Sequence, residues 1–83
     1  MQLLYFGWVR AKIGISQEEI ELPPGVSDVR TLIDWLQERG NTHSEALEDL
    51  SVIRVAVNQE MAEMDTPIAA KDEVALFPPM TGG

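Results

Sequence analysis

One segment of the chain has the apolar spacing of an amphipathic helix, and this segment limits the folds available to the rest. Large aliphatic residues recur in it at positions i, i+3, i+4 and i+7, namely Val29, Leu32, Ile33 and Leu36. That period places them on one face of a helix. Ser27 suits an N-cap and Gly40 suits the position after a helix, so the sequence predicts a helix over residues 28–39. The stripe has to be covered by the remaining segments.

Those remaining segments are mostly strand-like. Aromatic and β-branched residues are concentrated at 2–9, 17–22, 51–57 and 73–77, with a weaker strand at 59–64. Turn-forming residues separate these segments, and they include the Pro-Pro-Gly sequence that precedes the main helix and an asparagine that tolerates positive φ. The sequence therefore predicts a sheet as the partner of the helix.

Two short helical segments complete the pattern. A single turn is expected at 10–13, and a short helix at 42–50 would open with a capping box of Thr42 and Glu45. The order β-β-α-α-β-β-β predicts an α+β fold of the ubiquitin-like β-grasp type, with a mixed sheet wrapped over one main helix and parallel first and last strands. Strand alternation assigns six side chains to the helix side: Leu3, Tyr5, Ile53, Val55, Val74 and Leu76.

The opposite face of the sheet is predicted to be open and apolar. Its side chains would be Leu4, Phe6, Ala56, Met61 and Phe77. A contiguous apolar patch on an exposed face is a candidate interface. Because the first and last strands are expected to be neighbours, the two phenylalanines should lie together where the last strand ends.

The chain ends in an unusual segment, Phe77-Pro78-Pro79-Met80-Thr81-Gly82-Gly83. Proline fixes φ and removes a backbone donor, so the diproline should end the last strand. We predict a domain over residues 1–77 and a flexible, extended tail over 78–83 that reaches about 20 Å. Glycine permits close approach of backbone to a ligand, which would let an enzyme activate the terminal carboxylate.

Composition excludes several classes of function. The 83 residues contain no cysteine and one histidine, so the sequence offers no disulfide, thiolate nucleophile or metal site. The net charge of −8 opposes binding to nucleic acid and to anionic membranes. We see no signal peptide or membrane span and expect a cytoplasmic protein. Without cysteine, any sulfur carried by the chain must be attached at the terminal carboxyl.

The tail and three internal segments resemble the molybdopterin synthase small subunit, a family of ubiquitin-like sulfur carriers. The resemblance covers nearly the whole chain and is most specific at 77–83, preceded by Asp72-Glu73-Val74. Weaker matches are Phe6, Val9-Arg10, Gly14, Val57-Asn58-Gln59 and Asp65-Thr66-Pro67. One departure is Ala70-Lys71-Asp72, where the family often has Asp-Gly-Asp, and it affects the type of turn there.

The resemblance implies a specific chemistry. A ubiquitin-activating-like adenylyltransferase would use ATP to convert Gly83, next to Gly82, into a glycyl adenylate and then a 1-thioglycine thiocarboxylate. The large subunit of molybdopterin synthase would receive the tail and pass the sulfur to a cyclic pterin precursor, in a heterotetramer whose catalytic side chains belong to the large subunit. This chain would bind no cofactor and no metal. The implied interface comprises Phe6, Met61, Phe77, Pro78, Pro79, Met80 and Thr81.

Three alternatives stay open at the level of sequence. A sulfur carrier of the thiamine pathway shares the fold and the Gly-Gly end. A ubiquitin-like protein modifier would use the same adenylate but would join Gly83 to lysines of other proteins. A β-grasp binding module with an inert tail would need neither chemistry. The sequence does not identify the activating enzyme, the sulfur source, the metal of the finished cofactor or the oligomeric state of the isolated chain.

Overall fold

A computed structural model describes residues 1–79, and it confirms the β-grasp prediction. The predictions for Met80, Thr81, Gly82 and Gly83 lie outside the described residues. The elements in chain order are β1 Gln2–Tyr5, α1 Gly7–Ile13, β2 Gln17–Glu19, α2 Val29–Gln37, α3 Asn41–Ala46, a 3-10 turn Leu50–Val52, β3 Arg54–Val57, β4 Glu60–Met61 and β5 Glu73–Phe77.

The strands form one mixed sheet in the order β2-β1-β5-β3-β4. The central pair, β1 and β5, is parallel, with Leu3 opposite Val74 and Tyr5 opposite Leu76. Every other pair is antiparallel. A parallel pair needs a long crossover connection, and here the crossover contains α2, which covers one face of the sheet.

The core lies between α2 and that face. All six side chains predicted for the helix side of the sheet are buried, and so is the whole apolar stripe of α2. Val9 and Ile13 of α1 and Leu47 after α3 extend the core at its ends. Among residues 1–79, no buried side-chain polar atom lacks a hydrogen-bond partner.

The first strand is shorter than the prediction of residues 2–9. It ends at Tyr5, because Gly7 has a φ of 58° and turns the chain directly into α1. Val9 is therefore a buried residue of helix α1, whereas its neighbour Trp8 is exposed. The apolar run of residues 2–9 hides this change of period, since an alternating pattern and a helical pattern both leave Tyr5 and Val9 inside.

The bounds of the two later helices also differ from the prediction. The N-cap of α2 is Asp28 and not Ser27: the Asp28 carboxylate accepts a hydrogen bond from the Thr31 backbone N–H at 2.9 Å, and Thr31 Oγ1 accepts one from the Asp28 N–H at 3.1 Å. Gly40 does not cap α2 but precedes α3 as its N-cap, so the capping box predicted at Thr42 is wrong.

The turn between β3 and β4 follows the prediction for Asn58. Asn58 and Gln59 have φ values of 51° and 69°, the left-handed pair that a tight two-residue hairpin requires. The Asn58 side chain also donates to the Asp72 carboxylate at 3.0 Å and accepts from the Glu73 N–H at 3.0 Å. These bonds fix the start of β5, and so the register of the strand that ends in the tail.

Candidate functional site

The face of the sheet opposite α2 has no covering element among the described residues, and we call it the open face. Antiparallel and parallel partners in register point their side chains to the same side of a sheet. The pairs of β1, β5, β3 and β4 therefore place one apolar row across its middle, consisting of Leu4, Ala75, Ala56 and Met61. Met61 ends that row and is 67% exposed.

A second row lies nearer the end of β5. Phe6 keeps an extended backbone, with φ −128° and ψ 160°, and its N–H donates to the Leu76 carbonyl at 3.1 Å. The parallel register of β1 and β5 thus continues for one residue and brings Phe6 beside Phe77. Phe77 in turn pairs with Arg54 of β3. This row combines two aromatic side chains with one cation.

Ile15 extends this second row on the other side of Phe6. The Tyr5 N–H donates to the Ser16 carbonyl at 2.9 Å, which continues the antiparallel register of β1 and β2 beyond the strands. The next pair in that register is Phe6 with Ile15, and both side chains are exposed, at 49% and 44%. The row therefore crosses the sheet as Ile15, Phe6, Phe77 and Arg54.

The far end of the open face is polar. The row beyond the central one consists of Glu19, Gln2 and Glu73, again in register across β2, β1 and β5. The open face thus changes from acidic at one end to apolar and basic at the end where the chain leaves the sheet. The apolar end is therefore the one that lies beside the tail.

The tail root, Pro78 and Pro79, begins against the turn between β1 and α1. A Cβ placed on Gly7 would lie 2.7 Å from Cγ of Pro78 and 3.0 Å from its Cδ. Both distances are shorter than van der Waals contact allows. The left-handed φ of 58° adds a second reason for glycine at this position. Gly7 therefore sets how closely the tail root approaches the domain.

The structure brings together the described residues of the predicted interface. Phe6 and Phe77 share the second row, Met61 ends the first row, and Pro78 and Pro79 are half-buried at the tail root. Whether these residues contact a partner stays a prediction. The division of the chain into a domain over residues 1–77 and a tail over residues 78–83 also stays a prediction, although Pro78 packs on the domain.

Ile15 and Arg54 join the open face without having been singled out from the sequence. Ile15 lies in the connection between α1 and β2, where strand alternation does not apply, and only the hydrogen bond from Tyr5 to Ser16 reveals its position. Strand alternation places Arg54 on the open face, but its pairing with Phe77 depends on the register of β3 and β5. A register cannot be read from either strand alone.

A polar cluster at the β2 edge departs from the sequence interpretation. The acidic sequence around Glu18 is typical of a solvated strand edge, and a single histidine such as His43 is typically a surface or capping residue. Instead, the Glu18 carboxylate accepts hydrogen bonds from Tyr5 Oη at 2.7 Å and from Arg39, and it lies 3.1 Å from His43 Nε2. The cluster joins β1, β2, the end of α2 and α3.

Burial and these contacts oppose each other at Glu18. Burial would raise the pKa of its carboxyl, but hydrogen bonds from Arg39, Tyr5 and His43 outweigh it and hold the pKa below its usual range. Burial and then the hydrogen bond to Glu18 raise the pKa of Tyr5. The cluster therefore contains an ionised carboxylate and a neutral phenol. Its hydrogen bonds connect separate elements of the fold, which is a structural role.

The described residues hold no group of three His, Cys, Asp or Glu side chains arranged to bind a metal ion. Among residues 1–79, no helix is both long and apolar enough to cross a membrane. The described residues thus present an apolar open face with the tail root, Pro78 and Pro79, at one end of it.

The fold and this face define a small ubiquitin-like β-grasp protein. A model of the ThiS family matches residues 3–83, and the chain belongs to that family. It is 34% identical to the protein named molybdopterin synthase sulfur carrier subunit of Escherichia coli over 83 residues, which are 100% of this chain and 99% of the relative. It is also 34% identical to the protein of that name from Mycobacterium tuberculosis, covering 100% and 96% of the two chains.

Solved structures agree with this assignment. A putative molybdopterin converting factor subunit 1 from Pyrococcus furiosus superposes with a TM-score of 0.77 at 32% identity and covers 95% of each chain. The small archaeal modifier protein 1 of Haloferax volcanii gives 0.74 at 28% identity, over 96% of this chain and 97% of the other. A chain from the complex of subunits 1 and 2 of the molybdopterin-converting factor of Helicobacter pylori gives 0.65 at 27%, over 99% and 96%.

Proposed function

We propose that this chain is a sulfur carrier subunit of a molybdopterin synthase and that Gly83 carries the sulfur. The observation that supports this most is likeness over the full length to curated relatives with that name, which the chain matches from end to end. The chain also has the Gly-Gly end that such a carrier needs and contains no cysteine that could carry sulfur instead.

The proposed loading reaction takes place at the terminal carboxyl. An adenylyltransferase of the ubiquitin-activating type joins the Gly83 carboxylate to AMP from ATP and releases pyrophosphate. The terminal sulfur of a donor persulfide attacks the acyl carbon and displaces AMP. The product is an acyl disulfide between Gly83 and the donor. A thiol then attacks the donor's sulfur atom, forms a disulfide with the donor and releases the Gly83 thiocarboxylate. The chain itself binds no cofactor in this scheme, which we place in the cytoplasm.

In the proposed transfer reaction, the tail enters the large subunit of the synthase, which supplies the catalytic side chains. There the thiocarboxylate sulfur bonds to a carbon of a cyclic pterin precursor in place of an oxygen substituent, and water cleaves the resulting thioester. The sulfur stays on the pterin as one of the two sulfurs of the dithiolene, and Gly83 returns to a carboxylate. A structural neighbour of this chain belongs to a complex of subunits 1 and 2 of a molybdopterin-converting factor, which supports a two-subunit assembly.

The proposed interface is the apolar end of the open face together with the tail. It comprises Phe6, Met61, Phe77, Pro78, Pro79, Met80 and Thr81, with Gly82 giving the last residues room in a narrow passage. Phe6 is 49% exposed and Phe77 is partly exposed. Docking would bury the exposed part of each, which contributes a fraction of the about 1.5–3 kcal/mol that complete burial of such a side chain gives. The docked domain thus holds the tail in place without supplying catalytic groups.

Reconstitution tests this proposal. Thiocarboxylated chain is mixed with the large subunit and the cyclic pterin precursor, and formation of molybdopterin is measured. We expect product from the intact chain, none after deletion of Gly83, and greatly reduced product from Phe77→Asp. Ala70→Asp is the control, since Ala70 is exposed in the turn before β5, at the opposite end of that strand from Phe77. Absence of product from the intact chain, with a competent large subunit, would refute the proposal.

A second candidate function is protein modification through Gly83. Similarity to the small archaeal modifier protein 1 favours it specifically. Both functions begin with the Gly83 adenylate. They differ in the atom to which the Gly83 acyl group is then joined, which is the nitrogen of a lysine amine in the modifier and a sulfur atom in the carrier. Gly83-dependent conjugates of higher mass in cell extract would support the modifier. A thiamine-pathway carrier would deliver its sulfur to a different acceptor enzyme and would give no molybdopterin in the reconstitution.

A further inference from the structure

We propose that the interface with the large subunit continues from the open face onto α1, where Trp8 and Lys12 contact an acidic surface of that subunit. This inference rests on the function proposed above and concerns residues outside the interface already assigned. Five large apolar side chains are exposed among the described residues, and Phe6, Trp8 and Ile15 are three of them. All three lie in the ten residues that contain α1.

The tail root packs on the backbone of the residue that separates two of these side chains in the chain. Pro78 rests on the backbone of Gly7, whose neighbours in the chain are Phe6 and Trp8. Phe6 points along the open face, and Trp8 begins the exposed side of α1. A protein that encloses the tail from Pro78 onward must therefore come close to both aromatic side chains.

The charge of the N-terminal segment that contains α1 differs from that of the whole chain. The chain carries a net charge of −8, yet residues 1–17 contain no Asp or Glu and include Arg10 and Lys12. Lys12 Nζ lies 5.7 Å from the centre of the Trp8 ring, in cation–π geometry. Within residues 1–79, neither Arg10 nor Lys12 has a carboxylate at ion-pair distance. Both cations are thus available to a partner.

These features fit an acidic protein surface. Tryptophan and arginine are enriched where protein interfaces gain most of their affinity. Positive charge that faces a partner inside an otherwise acidic chain fixes the orientation of docking and speeds association. Phe6 belongs both to the open face and to this segment, so a partner on the open face reaches α1 without a gap. That continuity assigns the surface to the large subunit.

Charge reversal of the two lysines of the chain provides a matched test. Lys12→Glu and Lys71→Glu change the net charge equally, but Lys71 lies in the turn before β5, away from α1. Affinity for the large subunit is measured by titration calorimetry at low and at high salt. We expect Lys12→Glu to weaken binding about tenfold at low salt, with a smaller effect at high salt. Lys71→Glu should stay near the wild-type affinity.

Removal of the aromatic side chain tests the apolar half of the surface. Trp8→Ser should also weaken binding about tenfold or more, whereas Ala70→Ser, in the exposed turn before β5, should not. Thermal unfolding of each variant checks that the domain is folded. Binding by Lys12→Glu and Trp8→Ser equal to that of their controls, while Phe77→Asp still weakens it, would overturn this inference and leave the proposed function intact.

Two other outcomes also decide the question. Failure of the wild-type chain to bind a competent large subunit would contradict the proposed function and this inference together. Normal binding to the large subunit with slower adenylation of Lys12→Glu and Trp8→Ser would assign the surface to the activating enzyme. That result would overturn the inference as stated.

Discussion

Substitution of Glu18 by alanine should destabilise the domain far more than substitution of its neighbour Glu19. The Glu18 carboxylate accepts a hydrogen bond from Tyr5 Oη at 2.7 Å and contacts Arg39 and His43. Glu19 is exposed on the other side of the same strand. The two substitutions therefore share strand, residue type and charge change, but only Glu18→Ala removes the hydrogen bonds of the cluster.

The magnitude follows from the burial of the partners. Tyr5 is 1% exposed, and leaving a buried donor without a partner costs about 1–3 kcal/mol. The pair with Arg39 is partly exposed and adds up to about 1 kcal/mol. We expect Glu18→Ala to lower the free energy of unfolding by about 2–3 kcal/mol, which corresponds to a fall in Tm of roughly 10–20 °C for a domain of this size.

Urea unfolding at neutral pH measures both variants, and Glu19→Ala should stay within about 0.5 kcal/mol of wild type. In a Tyr5→Phe background, Glu18→Ala should lower the free energy of unfolding by about 1 kcal/mol less, because there is no Tyr5 hydroxyl to be left without an acceptor. Equal effects of Glu18→Ala and Glu19→Ala would refute the reasoning. So would strict additivity with Tyr5→Phe, since it would show that the hydrogen bond does not couple the two residues.

The same cluster has a pH dependence of known sign. Because the folded-state pKa of Glu18 lies below its usual range, its ionised form stabilises the domain above the unfolded-state pKa. That contribution is lost as the pH falls through the lower folded-state pKa. The difference in unfolding free energy between wild type and Glu18→Ala should thus be constant near neutrality and narrow in acid. A difference that widened in acid would contradict this assignment.

Two further predictions separate the structure from simpler interpretations of the sequence. Asp28→Ala should lower Tm by several degrees through loss of the N-cap hydrogen bond, while Ser27→Ala, at the N-cap expected from sequence, should leave Tm unchanged. Gly7→Ala and Gly14→Ala both place a side chain at positive φ, which should cost about 1–2 kcal/mol in urea unfolding, and the clash with Pro78 should make Gly7→Ala the more destabilising of the two. Only Gly7→Ala meets Pro78, so it alone should slow sulfur transfer in the reconstitution assay; equal transfer rates would contradict the role given to this contact.

The main helix, the sheet and the core could be predicted from the sequence, because their signals are periodic and local. The stripe of α2 and the alternation in β3 and β5 each repeat several times within one element. The change from β1 to α1 could not be predicted, since it depends on one glycine and on a distant proline, Pro78, that packs against it. The local sequence pattern around Gly7 does not indicate this contact, because Pro78 is far away in the chain.

The candidate site was predictable in part for the same reason. Phe6 and Phe77 could be placed together once the parallel pairing of the first and last strands was expected. Ile15 and the pairing of Arg54 needed the actual registers. The cluster around Glu18 was missed because four separate elements contribute one residue each, and an acidic strand edge gives no sign of which carboxylate turns inward.

The most direct test of the proposed function is the intact mass of the chain after incubation with its activating enzyme, ATP and a persulfide donor. The account predicts a gain equal to the exchange of one oxygen for one sulfur, localised to the terminal peptide and absent when Gly83 is deleted. An unchanged mass, with the same enzyme shown to load another carrier, would contradict the claim that Gly83 carries sulfur.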